Sequence, residues 1–210
     1  MSKINKNSKA KNDSFWCARA GLLCSFFTAA AMFGSSSVLA QPVDAAGSNG
    51  SAGIETREPS SAQGLGLQLG FNSGYRKATL AYETPALWSH RFSGDWGRLD
   101  LGVELGISYW DSRHEDPASM WQLSAIPILR WWPHDSVYLE AGVGPTVMSR
   151  SEFAGRDLGT RFQFGSYLGA GFTIQDRHRI GVRYSHYSNA SIKKPNMGLD
   201  IFQLTYTYRF

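Results

Sequence analysis

Cysteine is nearly absent from this 210-residue chain: there are two, Cys17 and Cys24, both within the first 40 residues. A mature chain without them has no disulfide framework and no thiol chemistry. Apolar runs of about 20 residues, several of which a bundle of membrane-spanning helices would require, are also missing. An excess of one charge is missing too, once the chain is divided. The formal charge of +4 resides in residues 1–40, where Lys3, Lys6, Lys9, Lys11 and Arg19 face Asp13 alone. The remaining residues hold 16 bases and 16 acids. A basic footprint for nucleic acid is therefore excluded, and no nucleic-acid partner is expected.

The first 40 residues have the layout of an export signal. A positive segment, residues 1–19, precedes an apolar stretch of small residues from Ala20 to Phe33. Gly34, three serines and Ala40 then offer the small side chains that a signal peptidase pocket accepts, so cleavage is expected after Ala40. The apolar run is short for a retained membrane anchor. Leu23 stands before Cys24 where a lipid-modified leader needs a small residue. Residues 41–63, rich in Ser, Ala, Gly and Glu without a period, are read as a flexible lead-in.

From Gly64 to Phe210 the period is two, which is the signature of strands. Leu65, Leu67, Leu69 and Phe71 alternate with Gly66, Gln68, Gly70 and Asn72. The segment from Arg98 to Tyr109 sets Leu99, Leu101, Val103, Leu105, Ile107 and Tyr109 against Asp100, Gly102, Glu104, Gly106 and Ser108. Eight such segments can be traced, although the fourth, Met120 to Trp132, alternates less cleanly. The polar face combines glycine with matched charges such as Glu104, Glu140, Arg183 and Arg209. That mixture suits a narrow interior crowded by long side chains better than a solvent face, which disfavours a soluble lipocalin-like barrel. The expected fold is all-β: an eight-stranded antiparallel transmembrane β-barrel of the bacterial outer membrane, apolar outside and polar inside. Closure satisfies every backbone group in lipid. Eight strands leave an interior filled by side chains, so a wide pore is excluded.

With both termini periplasmic, the turns at 133–136 and 175–178 are short and periplasmic. The segments 110–119, 149–160 and 189–198 are longer and extracellular, as such barrels require. The connection at 84–95 breaks this asymmetry and is read as a local cap containing Pro85 and Trp88. His90 and Arg91 are read as turn residues. Trp88, Trp110, Trp121, Trp131 and Trp132 are read mainly as interfacial anchors.

Continuing the outward parity of Ile180, Val182 and Tyr184 brings His186 and Ser188 to the lipid-facing surface. Extending the last strand backward brings Asp200 to the same surface. The three meet at the extracellular rim, where polar groups cost far less than at the bilayer midplane. With Ser188 opposite Asp200, the acid would lie diagonal to His186, within side-chain reach. A hydroxyl, an imidazole and a carboxylate in this order form a nucleophile, a base and an orienting acid. Asn189, Asn196 and loop N–H groups are candidate oxyanion or supporting donors. No cofactor or metal is expected, because one His and one carboxylate are fewer ligands than a hydrolytic zinc site uses. Elsewhere, His114-Glu115-Asp116 reads as a solvated loop. Lys193 and Lys194 read as a loop pair within reach of lipid phosphates. The competing class is a non-enzymatic small barrel with a structural or adhesion role, whose rim residues serve packing alone.

The run His186-Tyr187-Ser188-Asn189, followed by Pro195-Asn196-Met197-Gly198-Leu199-Asp200, resembles the lipid A 3-O-deacylase family, PagL, in order and spacing. The resemblance implies an eight-stranded outer-membrane barrel that hydrolyses the 3-position ester of lipid A, with lipopolysaccharide as its substrate. It implies Ser188 as nucleophile, His186 as base and Asp200 as third member. Asn189 matches an asparagine important for activity, and Asn196 one associated with the oxyanion site. Glutamate in the family at the position of Asp200 marks a departure, with Glu152 and Asp157 as neighbouring acids that stand in reserve. A homodimer is one arrangement that the sequence leaves open.

Overall fold

A computed structural model describes residues 62–113 and 116–210. The expected leader, most of the lead-in, and His114 and Glu115 lie outside the described residues. Eight long strands close into a ring: β1 (Gly64–Phe71), β2 (Tyr75–Glu83), β4 (Arg98–Ser112), β5 (Ser119–His134), β6 (Val137–Met148), β9 (Phe162–Ile174), β10 (His178–Ser188) and β11 (Leu199–Arg209). Three short strands accompany them: β3 (Trp88–Arg91) and the hairpin of β7 (Glu152–Phe153) with β8 (Arg156–Asp157). Each long strand pairs antiparallel with two neighbours, and β1 closes the ring on β11 from Gly64↔Arg209 to Phe71↔Phe202. The ladder extends to Gln63, which exchanges two main-chain bonds with Phe210.

The period of two sorts side chains as the sequence predicts. Leu65, Leu67, Leu69 and Phe71 are exposed on the outer wall, as are Ile180, Val182, Phe202 and Leu204. β5 alternates as regularly as the others. Its pattern is masked in the sequence because it also sends Met120, Ile126, Ile128 and Trp132 inward.

Two layers fill the interior. Toward the terminal end, Glu83, Glu104 and Glu140 interleave with Arg130, Arg179 and Arg183. Arg183 bridges Glu104 at 2.9 Å and Glu140 at 2.8 Å. Arg130 pairs with Glu140 at 2.8 Å, and Arg179 binds Glu83. Three acids and three arginines cancel, so no net charge is buried within this group. The Arg183 guanidinium also stacks 3.8 Å from the centre of the Tyr167 ring. Glycines make room for this layer. A Cβ on Gly142 would come 2.6 Å from Tyr167, and one on Gly181 would come 2.6 Å from Tyr138.

Toward the loop end the filling is apolar. Tyr75, Trp110, Met120, Met148, Tyr187, Leu199 and Ile201 point inward and are capped by Phe153 and Leu158 from the outer loop carrying β7 and β8. Lys77 lies beneath this plug, donating to Tyr187 Oη at 2.5 Å and facing the Trp110 ring. Two of the five tryptophans read as anchors are thus interior. Trp110 is 0% exposed and Trp132 is buried, because both occupy inward parity positions, whereas Trp88 and Trp121 lie outside.

The connection at 84–95 is not a separate cap. β4 outruns β2 by several residues at its start, and the chain turns back as β3 to pair Trp88↔Leu101 through Arg91↔Arg98. Thr84 N–H donates to Val103 O, and Leu87 N–H to Leu101 O, so the edge of β4 stays hydrogen-bonded beyond β2. His90 and Arg91 are strand residues for the same reason.

Arg183→Ala strips one partner from Glu104 and one from Glu140. Removing half of a buried pair costs about 3–5 kcal/mol. Urea unfolding in detergent or bilayers, followed by heat-modifiable gel migration, is expected to show a loss of that order without a change in the folded band.

Candidate active site

β10 and β11 carry the site. Their register pairs Tyr184↔Phe202, His186↔Asp200 and Tyr187↔Leu199. Asp200 is therefore directly opposite His186, not diagonal to it, and the expected Ser188–Asp200 pairing does not occur. The carboxylate needs little reach: His186 Nδ1 and Asp200 Oδ1 are 2.7 Å apart. This contact fixes the imidazole with its proton on Nδ1 and leaves Nε2 as the basic nitrogen. Both side chains are on the outer wall, 37% and 45% exposed.

The residues between them face the other way. Tyr187, Leu199 and Ile201 are buried in the plug, so the strands that bear the site are backed by packed side chains. The first hairpin adds a clamp. Asn72 Nδ2 donates to Asp200 O at 2.7 Å, and Tyr75 Oη donates to the same oxygen at 2.9 Å. Asp200 N–H in turn donates to Tyr75 Oη at 3.1 Å. The sequence carries no signal for this clamp, since its members stand 125 or more positions apart.

Ser188 ends β10 on the same face as His186 and is paired with Phe164 of β9. Their Cα atoms are two strand residues apart, about 6.5–7 Å. Among the described residues no hydrogen bond joins Ser188 Oγ to His186. Serine–histidine bonds are often long in unliganded sites and tighten on substrate binding.

The two asparagines differ in role. Asn189 is fully buried, and its Nδ2 donates to Leu158 O at 2.8 Å and Lys193 O at 2.7 Å. Its side-chain NH2 is committed to tying the 149–161 and 189–198 loops together. Its main-chain N–H donates to Asn196 Oδ1 at 3.0 Å, which orients the Asn196 side chain and leaves Nδ2 to donate elsewhere. Lys193 and Lys194 are exposed on the same loop. Glu152 and Asp157 lie on the outer hairpin, where Asp157 Oδ1 accepts from Gly159 N–H. Among the described residues neither acid bonds to His186.

A profile described as Lipid A 3-O-deacylase (PagL) matches residues 76–209. The lipid A deacylase PagL of Bordetella bronchiseptica is 55% identical over 148 residues, covering 70% of this chain and 83% of its own. The chain belongs to the lipid A 3-O-deacylase family. The lipid A deacylase PagL of Pseudomonas aeruginosa is 34% identical over 113 residues, 52% of this chain and 65% of that protein. The crystal structure of the outer membrane enzyme PagL superposes with a TM-score of 0.59 at 27% identity, over 70% of this chain and 98% of that one. Fold and family agree on an outer-membrane barrel enzyme, a lipid A deacylase.

In this deacylase Gly198 limits how His186 can sit. Its φ of +62° lies in the left-handed region, and a Cβ there would come 3.0 Å from His186 Cε1. Gly198→Ala is expected to strain the loop and push the imidazole. A displacement of the imidazole by well under 1 Å is expected to lower turnover by about tenfold. Lipid A mass spectrometry reads the loss, and unchanged heat-modifiable migration checks that the barrel remains folded.

Proposed function

We propose that Ser188, His186 and Asp200 act as the catalytic triad of this lipid A deacylase, cleaving the 3-position ester in the outer leaflet. One observation carries the reading: an imidazole and a carboxylate, 2.7 Å apart, project from the lipid-facing wall at the loop-end rim, with a serine next on the same face. A structural or adhesion barrel gains nothing from holding this polar group toward lipid.

The surroundings fit an ester whose acyl chain lies in the membrane. The row next to the site on the terminal side consists of Tyr184, Phe202 and Leu168, all exposed. Beyond it lie Val182 and Leu204. An acyl chain running along this wall brings its ester carbonyl to Ser188. Lys193 and Lys194 stand on the loop side, where lipid A phosphates would lie.

Chemistry follows from the three groups. His186 Nε2 takes the Ser188 proton as Oγ attacks the carbonyl carbon. Asp200 stabilises the imidazolium that forms and keeps its tautomer. Asn196 Nδ2 and loop N–H groups supply donors for the oxyanion. Collapse of the tetrahedral adduct expels the sugar 3-oxygen, which takes the proton from His186. Water, activated by His186, then hydrolyses the acyl-serine and releases the fatty acid. Asn189 supports this arrangement through the loops it joins and not as an oxyanion donor. The product that reads this reaction is lipid A that has lost one 3-hydroxyacyl chain.

Ser188→Ala and His186→Ala are each expected to abolish deacylation in a folded barrel. Asp200→Asn keeps the shape and removes the charge, and is expected to lower turnover by at least about a hundredfold. Mass spectrometry of lipid A from membranes holding each variant measures this. Turnover near the parent rate in folded Ser188→Ala contradicts the assignment.

A further inference from the structure

We propose that Tyr184 is a positioning residue for this reaction, acting through Asp200. The proposal rests on the triad reading above. Tyr184 Oη donates to Asp200 Oδ1 at 3.0 Å, the same oxygen that meets His186 Nδ1 at 2.7 Å. Tyr184 is two residues before His186 on the same outer face and pairs with Phe202, which places its ring diagonal to Asp200. A tyrosine side chain spans that diagonal.

A carboxylate half-exposed on a membrane wall has competing orientations. It can turn toward water, or toward Arg156 of the outer hairpin, which lies within electrostatic range. The main-chain clamp from Asn72 and Tyr75 holds the Asp200 backbone but leaves its side-chain torsions open. The Tyr184 phenol closes that freedom: with two donors meeting at one oxygen, Oδ1 stays in the line of Nδ1. Interfacial anchoring also accounts for a tyrosine at this position, which is 52% exposed, but anchoring does not require its hydroxyl to meet Asp200. The hydroxyl is what binds the acid.

The second donor also shares the charge of the acid. A hydrogen bond to the charged form of a carboxylate disperses its charge. Without the phenol, Asp200 loses one of the two donors that hold Oδ1 in line with His186 Nδ1. The groups facing this pair are Tyr184 on β10, Tyr75 and Asn72 at the first hairpin, and Arg156 on the outer hairpin. Ser166 of β9 donates to the main-chain oxygen of His186 and not to the ring.

Tyr184→Phe removes one oxygen from a lipid-facing side chain and leaves packing intact. Purified full-length protein in detergent micelles, given lipid A, is expected to lose about three- to tenfold in kcat, the scale of one hydrogen bond to a charged group. KM is expected to change less than about twofold, since phenylalanine keeps the ring that lines the acyl-chain wall. In an Asp200→Ala background, Tyr184→Phe is expected to cause no further loss, because the acceptor is gone. An unchanged kcat overturns the proposal, as does a higher KM alone, which would mark the hydroxyl as a substrate contact. An equal loss in the Asp200→Ala background also overturns it, because Tyr184 would then act elsewhere. Asp200→Ala by itself tests the triad: parent-like turnover there sinks the triad reading and the role of Tyr184 with it, whereas an inert Tyr184→Phe beside an impaired Asp200→Ala removes the proposal and leaves the triad standing.

Discussion

An eight-stranded ring has to fill its own interior, and every other feature of this molecule is arranged around that requirement. The ring is too narrow for a column of bulk water, yet its wall is fixed by closure in lipid. Inward side chains therefore have to satisfy one another. At the terminal end they do so by charge, with Glu83, Glu104 and Glu140 set among Arg130, Arg179 and Arg183. Burying ions in this way is weak evidence for extra stability, because desolvation offsets much of the attraction. Its effect is on specificity: a strand shifted by one residue would turn Arg183 or Glu140 toward lipid and leave its partners unpaired. At the loop end the filling changes from ionic to aromatic and aliphatic. That change matters for function, because the plug lies directly behind the site.

The wall transmits the plug to the chemistry by alternation alone. Tyr187 lies between His186 and Ser188, and it points inward onto Trp110 and Lys77. Leu199 and Ile201 flank Asp200 and point inward too. Each outward polar residue is thus held by inward neighbours locked in a packed cluster. The 149–161 loop contributes on both sides: Phe153 and Leu158 seal the plug, and Leu158 O receives the side chain of Asn189 beside Ser188. A surface site of this kind needs no pocket in the protein. The membrane supplies the apolar medium, and the wall supplies a row of exposed aromatic and aliphatic side chains below a polar rim.

Most of the barrel was legible because period two is a strong signal, and lipid leaves few alternatives once it is seen. What escaped was what alternation does not encode. β5 looked irregular because an interior can be apolar as well as polar: Ile126 and Ile128 pack on Tyr167 inside the wall. The 84–95 segment looked like a cap because strand length cannot be read from hydrophobicity at a ragged barrel end, where β4 needed a partner that β2 was too short to provide. Trp110 and Trp132 were assigned by residue type, although their parity already placed them inside. For the site, the outward face of His186, Ser188 and Asp200 followed from parity, and the roles proposed for them rest on the motif and the His186–Asp200 contact. The two asparagines had the same standing in sequence. Only their surroundings separated them, one buried with its amide spent on two carbonyls, the other half-buried with a donor left over.

The register of the last hairpin also accounts for aspartate at position 200. A diagonal acid would have to cross about 7–8 Å between Cα atoms, a span suited to glutamate. A directly opposed pair brings Cα atoms to about 4.5–5.5 Å. Over that distance the shorter side chain suffices, and the observed 2.7 Å contact requires no shift of the imidazole. Aspartate has one rotatable bond fewer than glutamate, so less conformational freedom has to be restrained to hold it. What it loses is the ability to find the imidazole from a misplaced backbone. The clamp on the Asp200 main chain from Asn72 and Tyr75 removes that need, because it fixes the backbone from the opposite side of β11. Side-chain length, strand register and backbone anchoring are in this way one decision: a short acid meets the imidazole here because the strand beside it is held in place.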